Sequence, residues 1–137
     1  MSGTIASRAS THACSWPSPD SAAARAAVGI PAPAVTCWTA AHSDLHWANV
    51  TVPLSILDWE GWGRAPEGFD AATLYAYSLL QPNTAARVRD AFPVLGSPAG
   101  VAAEATVCAQ LLQTVSRGDN LTLEDRLRDW SEELRRR

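Results

Sequence analysis

Residues 42–49 read HSDLHWAN, and residues 56–60 read ILDWE. The first stretch has the spacing His-x-Asp-x-x-x-x-Asn, and the second places an aspartate at position 58. Phosphoryl-transfer enzymes use an Asp, an Asn and a second Asp in this order to hold a substrate hydroxyl and Mg²⁺. The block therefore predicts both the local fold around it and the chemistry to test there.

Three side chains of this block are candidates for chemistry. Asp44 is the candidate base, because a carboxylate at the tip of a loop can accept the proton of an attacking hydroxyl. Asn49 and Asp58 supply hard oxygen ligands, which suit Mg²⁺. His42 is expected to be structural, because at the start of the loop it can hydrogen-bond the backbone and fix Asp44.

Extended segments are predicted on both sides of the loop. Residues 34–40 carry β-formers and should deliver a strand into it. Residues 49–52 and 54–58 should form a tight hairpin, with Pro53 at the turn or edge. The two tryptophans of the block are expected to pack beneath this hairpin.

The chain after residue 58 is predicted to be helical throughout. Helices are expected at residues 66–80, 83–92, 97–116 and 122–137. Their ends follow from cap chemistry: Asn83 as an N-cap, Ser97-Pro98 as an N-cap with a first-turn proline, and Thr122-x-x-Asp125 as a capping box. The apolar face of the third helix is interrupted by one acid, Glu104.

Bulk composition limits the class of protein. With 137 residues the chain has the size of one domain, and its 47% hydrophobic and 18% charged content indicates a globular protein. The net charge of −3 gives no argument for nucleic acid or an anionic membrane as a partner. No apolar run approaches the roughly 20 residues that span a bilayer, and the N-terminus lacks a secretory signal. We therefore expect a cytoplasmic protein.

The chain contains no lysine, because all 11 of its basic residues are arginine. This removes every candidate for a phosphate-pairing lysine. Residues 1–33 are expected to form a flexible lead and a short helix, and residues 34–137 the catalytic lobe. No glycine-rich phosphate-binding motif precedes residue 42.

The segments HSDLHWANV, ILDWEGWG and FDAATLYAYSLL together resemble the C-terminal lobe of the aminoglycoside phosphotransferase and related small-molecule kinase superfamily, which has a protein-kinase-like fold. That family shows His-Gly-Asp-Leu-His-x-x-Asn, then Ile-Asp-Trp-Glu, then an Asp before a helix. The resemblance covers residues 34–116. Ser43 replaces the usual glycine of the family, which matters if that position needs a positive φ.

The resemblance implies an α+β, mostly helical lobe in which a small β-hairpin carries the catalytic loop. It implies Asp44 as the catalytic base, Asn49 and Asp58 as Mg²⁺ ligands, and Asp70 as a structural acid at the start of the following helix. The implied cofactors are Mg²⁺ and ATP, and the implied partner is a small-molecule hydroxyl acceptor. The lobe that binds ATP is absent from these residues, so a separate N-terminal lobe is a further implied partner.

Two other interpretations stay open at this point. The first is a truncated, catalytically inactive kinase-like lobe or binding module, which the absence of lysine favours for the isolated chain. The second is metal-dependent hydrolysis, in which His42, Asp44 and His46 converge on a transition metal. That second interpretation leaves Asn49 and the ILDWE block without a role.

Overall fold

A computed structural model of the protein describes residues 29–30 and 34–137. The predicted flexible lead and the short helix of residues 20–28 lie outside these residues. The strands are β1 (Trp38–Ala41) and β2 (Gly63–Pro66), and the helices are α1 (Phe69–Ala76), α2 (Pro82–Ala91), α3 (Val101–Ser116) and α4 (Glu124–Arg135). The predicted α+β class is confirmed.

β1 and β2 pair antiparallel, with Trp38 opposite Pro66 and Ala41 opposite Gly63. The predicted strand that leads into the loop is confirmed, although it begins at Trp38. The prediction that only helices follow residue 58 is wrong, because β2 lies there. The GRAP sequence of β2 has little β-propensity of its own, so the pairing with β1 determines its conformation. This sheet joins the two ends of residues 42–62.

The predicted hairpin inside that segment is much reduced. Val50 and Ile56 form a single antiparallel bridge, and the Leu57 N–H donates to the Asn49 carbonyl at 2.9 Å. Pro53 lies at the turn, as predicted, and its peptide bond to the preceding valine is cis. Trp47–Asn49 forms a 3-10 turn, whereas the prediction placed residue 49 at the start of an extended strand.

The first two helices differ from prediction at their ends. α1 begins at Phe69 rather than at residue 66, because β2 includes Pro66 and Gly68 takes a φ of 86° before the first turn. α2 begins at Pro82, and no side chain caps it. Pro82 fits this first-turn position because it has no N–H to satisfy.

The predicted caps of the last two helices are wrong. α3 begins at Val101, because Ser97 closes a separate turn in which its hydroxyl accepts the Gly100 N–H at 3.2 Å. α4 begins at Glu124, and Thr122 lies in a 3-10 turn that precedes it without capping it.

The core forms where α3 packs between α1 and α4. Its most enclosed apolar side chains include Ala72, Ala103, Cys108, Ala109 and Leu127. Glu104 is also fully buried on α3, where its carboxylate accepts the Gly96 N–H at 2.6 Å and pairs with Arg137 at 3.1 Å. The acid that interrupts the apolar face is therefore satisfied internally.

None of the helices in residues 29–30 and 34–137 is both long enough and apolar enough to cross a membrane.

Candidate functional site

The loop that follows β1 is anchored to the first turn of α1 by Asp70. One carboxylate oxygen of Asp70 accepts the His42 backbone N–H at 2.8 Å, and the other accepts the Ser43 N–H at 2.9 Å. Charge-assisted hydrogen bonds of this kind are about twice as strong as neutral ones. The position of Asp44, the next residue, is therefore tied to α1.

Ser43 adopts a left-handed backbone conformation, with a φ of 73°. This position is the one at which the resembled family has glycine. A non-glycine residue pays roughly 1–2 kcal/mol to adopt that conformation. The two bonds to Asp70 offset this cost, because they hold the backbone on both sides of the bend.

His42 is buried, and both of its ring nitrogens face backbone groups. Nε2 lies 2.7 Å from the Leu57 carbonyl oxygen, and Nδ1 accepts the Asp44 N–H at 3.3 Å. One neutral tautomer, protonated on Nε2, satisfies both contacts. The ring also meets the Trp59 ring edge-to-face, with centroids 4.7 Å apart. His42 thus links the start of the loop to the segment that precedes Asp58.

Asp44 and Asn49 are in direct contact. The Asn49 Nδ2 donates to the Asp44 carbonyl at 2.9 Å and lies 3.3 Å from its Oδ2. Because both neighbours are acceptors, the amide nitrogen must face them, and the side-chain oxygen Oδ1 of Asn49 is left without a hydrogen bond among the described residues. The His46 Nε2 approaches the Asp44 Oδ1 at 3.5 Å. The Asp44 side chain is nevertheless 54% exposed.

Asp58 follows the residue that hydrogen-bonds Asn49, so its backbone lies next to the end of the loop. It is exposed and has a φ of 56°, a second left-handed non-glycine residue in this segment. Its carboxylate makes no hydrogen bond or ion pair within the part of the chain that is described. The structure gives no contact between this carboxylate and Asp44 or Asn49.

The donor set fits a magnesium ion in its chemistry. Mg²⁺ prefers oxygen ligands and is usually held by one or two carboxylates together with substrate phosphates. The side-chain oxygen Oδ1 of Asn49 and the carboxylate of Asp58, both without a hydrogen bond among the described residues, are such ligands. Across the described ranges, no group of three or more His, Cys, Asp or Glu side chains could hold a metal ion. His42, Asp44 and His46 therefore form no such group. The metal-dependent hydrolysis interpretation thus has no metal site of the expected kind among the described residues.

The expectation that Trp47 and Trp59 pack beneath the hairpin is wrong. Trp47 is 44% exposed and Trp59 52% exposed. Each is held by its indole N–H, Trp47 on the Ser78 hydroxyl at 2.9 Å and Trp59 on the Ile56 carbonyl at 2.8 Å. A hydrogen bond at one edge orients the ring without burying the rest of it.

Tyr77, on the turn after α1, is a site residue that the sequence did not reveal. Its ring lies 5.2 Å from the His46 ring, centroid to centroid. Partial burial, and then the negative charge of Asp44, raise the pKa of Tyr77 above its usual value, while a hydrogen bond with Asn120 acts in the opposite direction. In the sequence Tyr77 only continues the apolar spacing of a helix. No local signal distinguishes a residue of the apolar helix face from a residue of the site.

The segment from Val52 to Trp62 exposes several large apolar side chains. Val52 is fully exposed, Leu54 is 79% exposed and Trp62 is 60% exposed. We call these three residues, with Leu57 and Trp59, the apolar rim. Exposed apolar groups concentrated in one place mark interaction sites more often than single ones do.

No protein-family model, no curated protein and no solved structure matches this chain. The resemblance described above therefore depends on the quoted motifs alone. What the site can do chemically follows from the contacts of Asp44, Asn49 and Asp70.

Proposed function

We propose that this chain is the catalytic lobe of a phosphotransferase with a protein-kinase-like C-terminal lobe, which moves the γ-phosphoryl group of ATP to a hydroxyl of a small molecule. The observation that supports it best is the contact of Asn49 with Asp44, on a loop that Asp70 anchors to α1. This contact joins the two residues that the motif predicts as base and metal ligand. The proposal includes a cytoplasmic location, where ATP is available.

Asp44 acts as the base in this proposal. The acceptor oxygen forms a bond to the γ-phosphorus, the bond from that phosphorus to the β–γ bridging oxygen breaks, and the hydroxyl proton passes to the Asp44 carboxylate. ADP is the leaving group. A positioned base of this kind contributes typically 10²–10⁴-fold to the rate. The exposed carboxylate of Asp44 is accessible to such a hydroxyl.

Asn49 and Asp58 would hold Mg²⁺ through the oxygen atoms that have no other partner. The ion, when bound, neutralises the charge that develops on the transferring phosphoryl group. Asn49 has a second function, because its amide nitrogen orients the Asp44 carboxylate. Asp70 and His42 position the loop without touching the reacting atoms.

The proposed reaction also needs cationic groups on the phosphates, and the chain has no lysine. Residues 42–62, which include the site, contain no arginine either. We therefore include a separate N-terminal lobe as a partner that supplies this charge and covers the nucleotide. The apolar rim offers uncovered surface next to the site for such a contact.

The test is ADP release from Mg·ATP in the presence of small alcohols, measured with the chain supplied with an N-terminal lobe, and Asp44→Asn is the key variant. We expect the rate to fall at least 100-fold in Asp44→Asn, and to remain unchanged in the control Asp90→Asn on α2. If the activity of Asp44→Asn equals that of the parent, the assignment of the base is wrong.

A binding module without turnover is the second candidate, and the apolar rim together with the missing lysine favours it. It predicts no stabilisation by Mg·ATP, whereas a ligand at 100 times its Kd adds about 2.7 kcal/mol to the free energy of unfolding. A thermal shift with Mg·ATP that disappears in Asp58→Asn favours the enzyme. Stable binding of a protein partner to the rim, without such a shift, favours the module.

A further inference from the structure

A small cavity lies between the loop and the helices, directly beside Asp44. It has a volume of about 100 Å³. Its walls come from the loop, from α1 with the turn that follows it, and from α3, and they include Asp44, Thr73, Tyr77, Val107, Gln110 and Thr114. Among the described residues, these walls bring together side chains that are far apart in the sequence.

The volume limits what can enter. Pockets that enclose drug-sized ligands are typically 300–1,000 Å³. The cavity beside Asp44, at about 100 Å³, is well below that range. A molecule with several sugar rings cannot be enclosed here, whereas an alcohol of three or four carbons can.

The charge of the walls limits the ligand further. Asp44 is the one ionisable acid or base of the lining apart from the tyrosine, and there is no lysine, arginine or histidine to receive an anion. An anionic ligand would face the Asp44 carboxylate without a compensating cation. A cationic ligand would pair with Asp44 and occupy the carboxylate that has to accept a proton. The remaining polar side chains favour an uncharged molecule.

Those polar side chains differ in whether their hydrogen-bonding groups already have partners in the protein. The Thr73 and Thr114 hydroxyls already donate to backbone carbonyls, at 3.0 and 2.8 Å. The Gln110 carboxamide makes no hydrogen bond within the described chain, and it offers both donors and an acceptor. The Tyr77 hydroxyl keeps its proton at neutral pH, since burial raises its pKa, and besides its hydrogen bond with Asn120 it can form one with a ligand. Two neutral hydrogen-bonding groups therefore face the base across the cavity.

We propose that this cavity is the acceptor site and that it takes a small uncharged alcohol or polyol of about three or four carbons, with Gln110 and Tyr77 as the residues that determine specificity. One ligand hydroxyl would lie against Asp44, and a second would exchange hydrogen bonds with Gln110 and Tyr77. The proposal rests on the proposed function, because Asp44 as base gives the first hydroxyl its role. It extends that function by naming the class of substrate.

The experiment measures binding to the full chain without nucleotide, by ligand-observed NMR. The probes are glycerol and erythritol, with glycerate as the anionic comparator, ethanolamine as the small cation and a multi-ring aminoglycoside as the large one. We expect the two polyols to bind with millimolar Kd, as suits so few atoms. The three charged probes should bind at least tenfold more weakly or not at all.

Variants test the residues. Gln110→Leu keeps the volume and removes the hydrogen bonds, so the Kd for glycerol should rise at least tenfold, and Tyr77→Phe should raise it less. Gln113→Leu, the same change on the same helix outside the cavity, is the matched control and should leave the Kd unchanged. Val107→Ile, which adds one methyl group to the wall, should weaken erythritol more than glycerol. The comparison of erythritol with glycerol in Val107→Ile does not depend on Gln110→Leu, so it still tests the site if that variant does not fold.

The proposal is overturned if any of the three charged probes binds as tightly as glycerol, or if Gln110→Leu and Val107→Ile both bind the polyols like the parent. Its failure differs from failure of the proposed function. Polyol binding without any phosphoryl transfer would preserve the site and remove the activity. Asp44-dependent ADP release with an acceptor too large for the cavity would preserve the activity and remove this inference.

Discussion

The Asp70 carboxylate accepts the backbone N–H of His42 at 2.8 Å across 28 residues of sequence. The two residues belong to different elements, since His42 follows β1 and Asp70 lies in the first turn of α1. The same carboxylate accepts the next N–H of the loop, that of Ser43, at 2.9 Å, so Asp70 holds both backbone groups of the bend before Asp44. The position of the candidate base thus depends on a residue that takes no part in the proposed chemistry.

Replacing Asp70 should therefore loosen the loop. Asp70→Ala leaves two backbone N–H groups without their acceptor, and we expect a loss of about 1–3 kcal/mol in the free energy of unfolding. Asp70→Asn keeps one acceptor oxygen and should lose less. Chemical denaturation measures both, with Asp90→Ala on α2 as the control. An unchanged midpoint for Asp70→Ala would show that the loop is held by other contacts.

Ser43→Gly should be neutral to stabilising, in contrast to most glycine substitutions. The φ of 73° costs a serine roughly 1–2 kcal/mol, and glycine avoids this cost while adding about 0.5–1 kcal/mol of unfolded-chain entropy. The expected net gain in the free energy of unfolding lies between zero and about 1.5 kcal/mol. Ser55→Gly, in the same segment without a positive φ, is the control and should destabilise. A clear loss in Ser43→Gly would contradict the strain argument.

Breaking the buried ion pair should be costly. Arg137→Ala leaves the fully buried Glu104 carboxylate with only the Gly96 N–H, and we expect a loss of about 3 kcal/mol, near the low end for such pairs because Arg137 is 25% exposed. Glu104→Gln keeps the bond to Gly96 and should lose less. Arg136→Ala breaks only an exposed pair at 4.0 Å and should cost at most about 1 kcal/mol. Equal midpoints for Arg137→Ala and Arg136→Ala would refute the argument.

Cys108 should make stability fall at high pH. Burial raises the pKa of this thiol from 9.0 to about 12, so the unfolded chain loses the proton first. The stabilising contribution is therefore complete below pH 9 and is lost as the pH rises towards 12, at about 1.4 kcal/mol per pH unit. Tyr77 adds a slope of the same sign, so the measurement is the difference between the parent and Cys108→Ala from pH 8 to pH 10.5. Parallel curves would show that Cys108 does not contribute.

Local signals in the sequence predicted the parts of the fold that depend on neighbours in the chain. β-formers before residue 42 predicted β1, and Pro53 lies at its predicted turn. β2 was missed because GRAP takes its conformation from β1, which is distant in sequence. The start of α3 was misplaced because the Ser97 hydroxyl closes a turn onto Gly100, where Val94 approaches so closely that a Cβ would overlap the Val94 carbonyl oxygen. The Ser97-Pro98 cap motif does not indicate this close contact between Val94 and Gly100.

The site residues also divide into those that local sequence predicts and those that depend on contacts between distant parts of the chain. Asp44, Asn49 and Asp58 could be named because they are close in the chain and their order has a chemical meaning. The cavity walls could not, because Tyr77 and Gln110 reach Asp44 only after α1 and α3 have packed together. The contact of Asn49 with Asp44 supports the predicted pair, whereas the predicted roles of base and ligand stay predictions.

The bridge between Val50 and Ile56 separates the site from the tip of its own hairpin. Thr51 makes the contacts at the tip: its N–H donates to the Ser55 carbonyl at 3.0 Å and its hydroxyl to the Pro53 carbonyl at 2.9 Å, while residues 52–54 are all exposed. Extra residues inserted there would lengthen the hairpin without moving Asn49 or Asp58, because exposed tips tolerate insertion. The hairpin is thus a place where reporter peptides or longer recognition loops can be grafted, and where related chains can differ in length while keeping one geometry at the base.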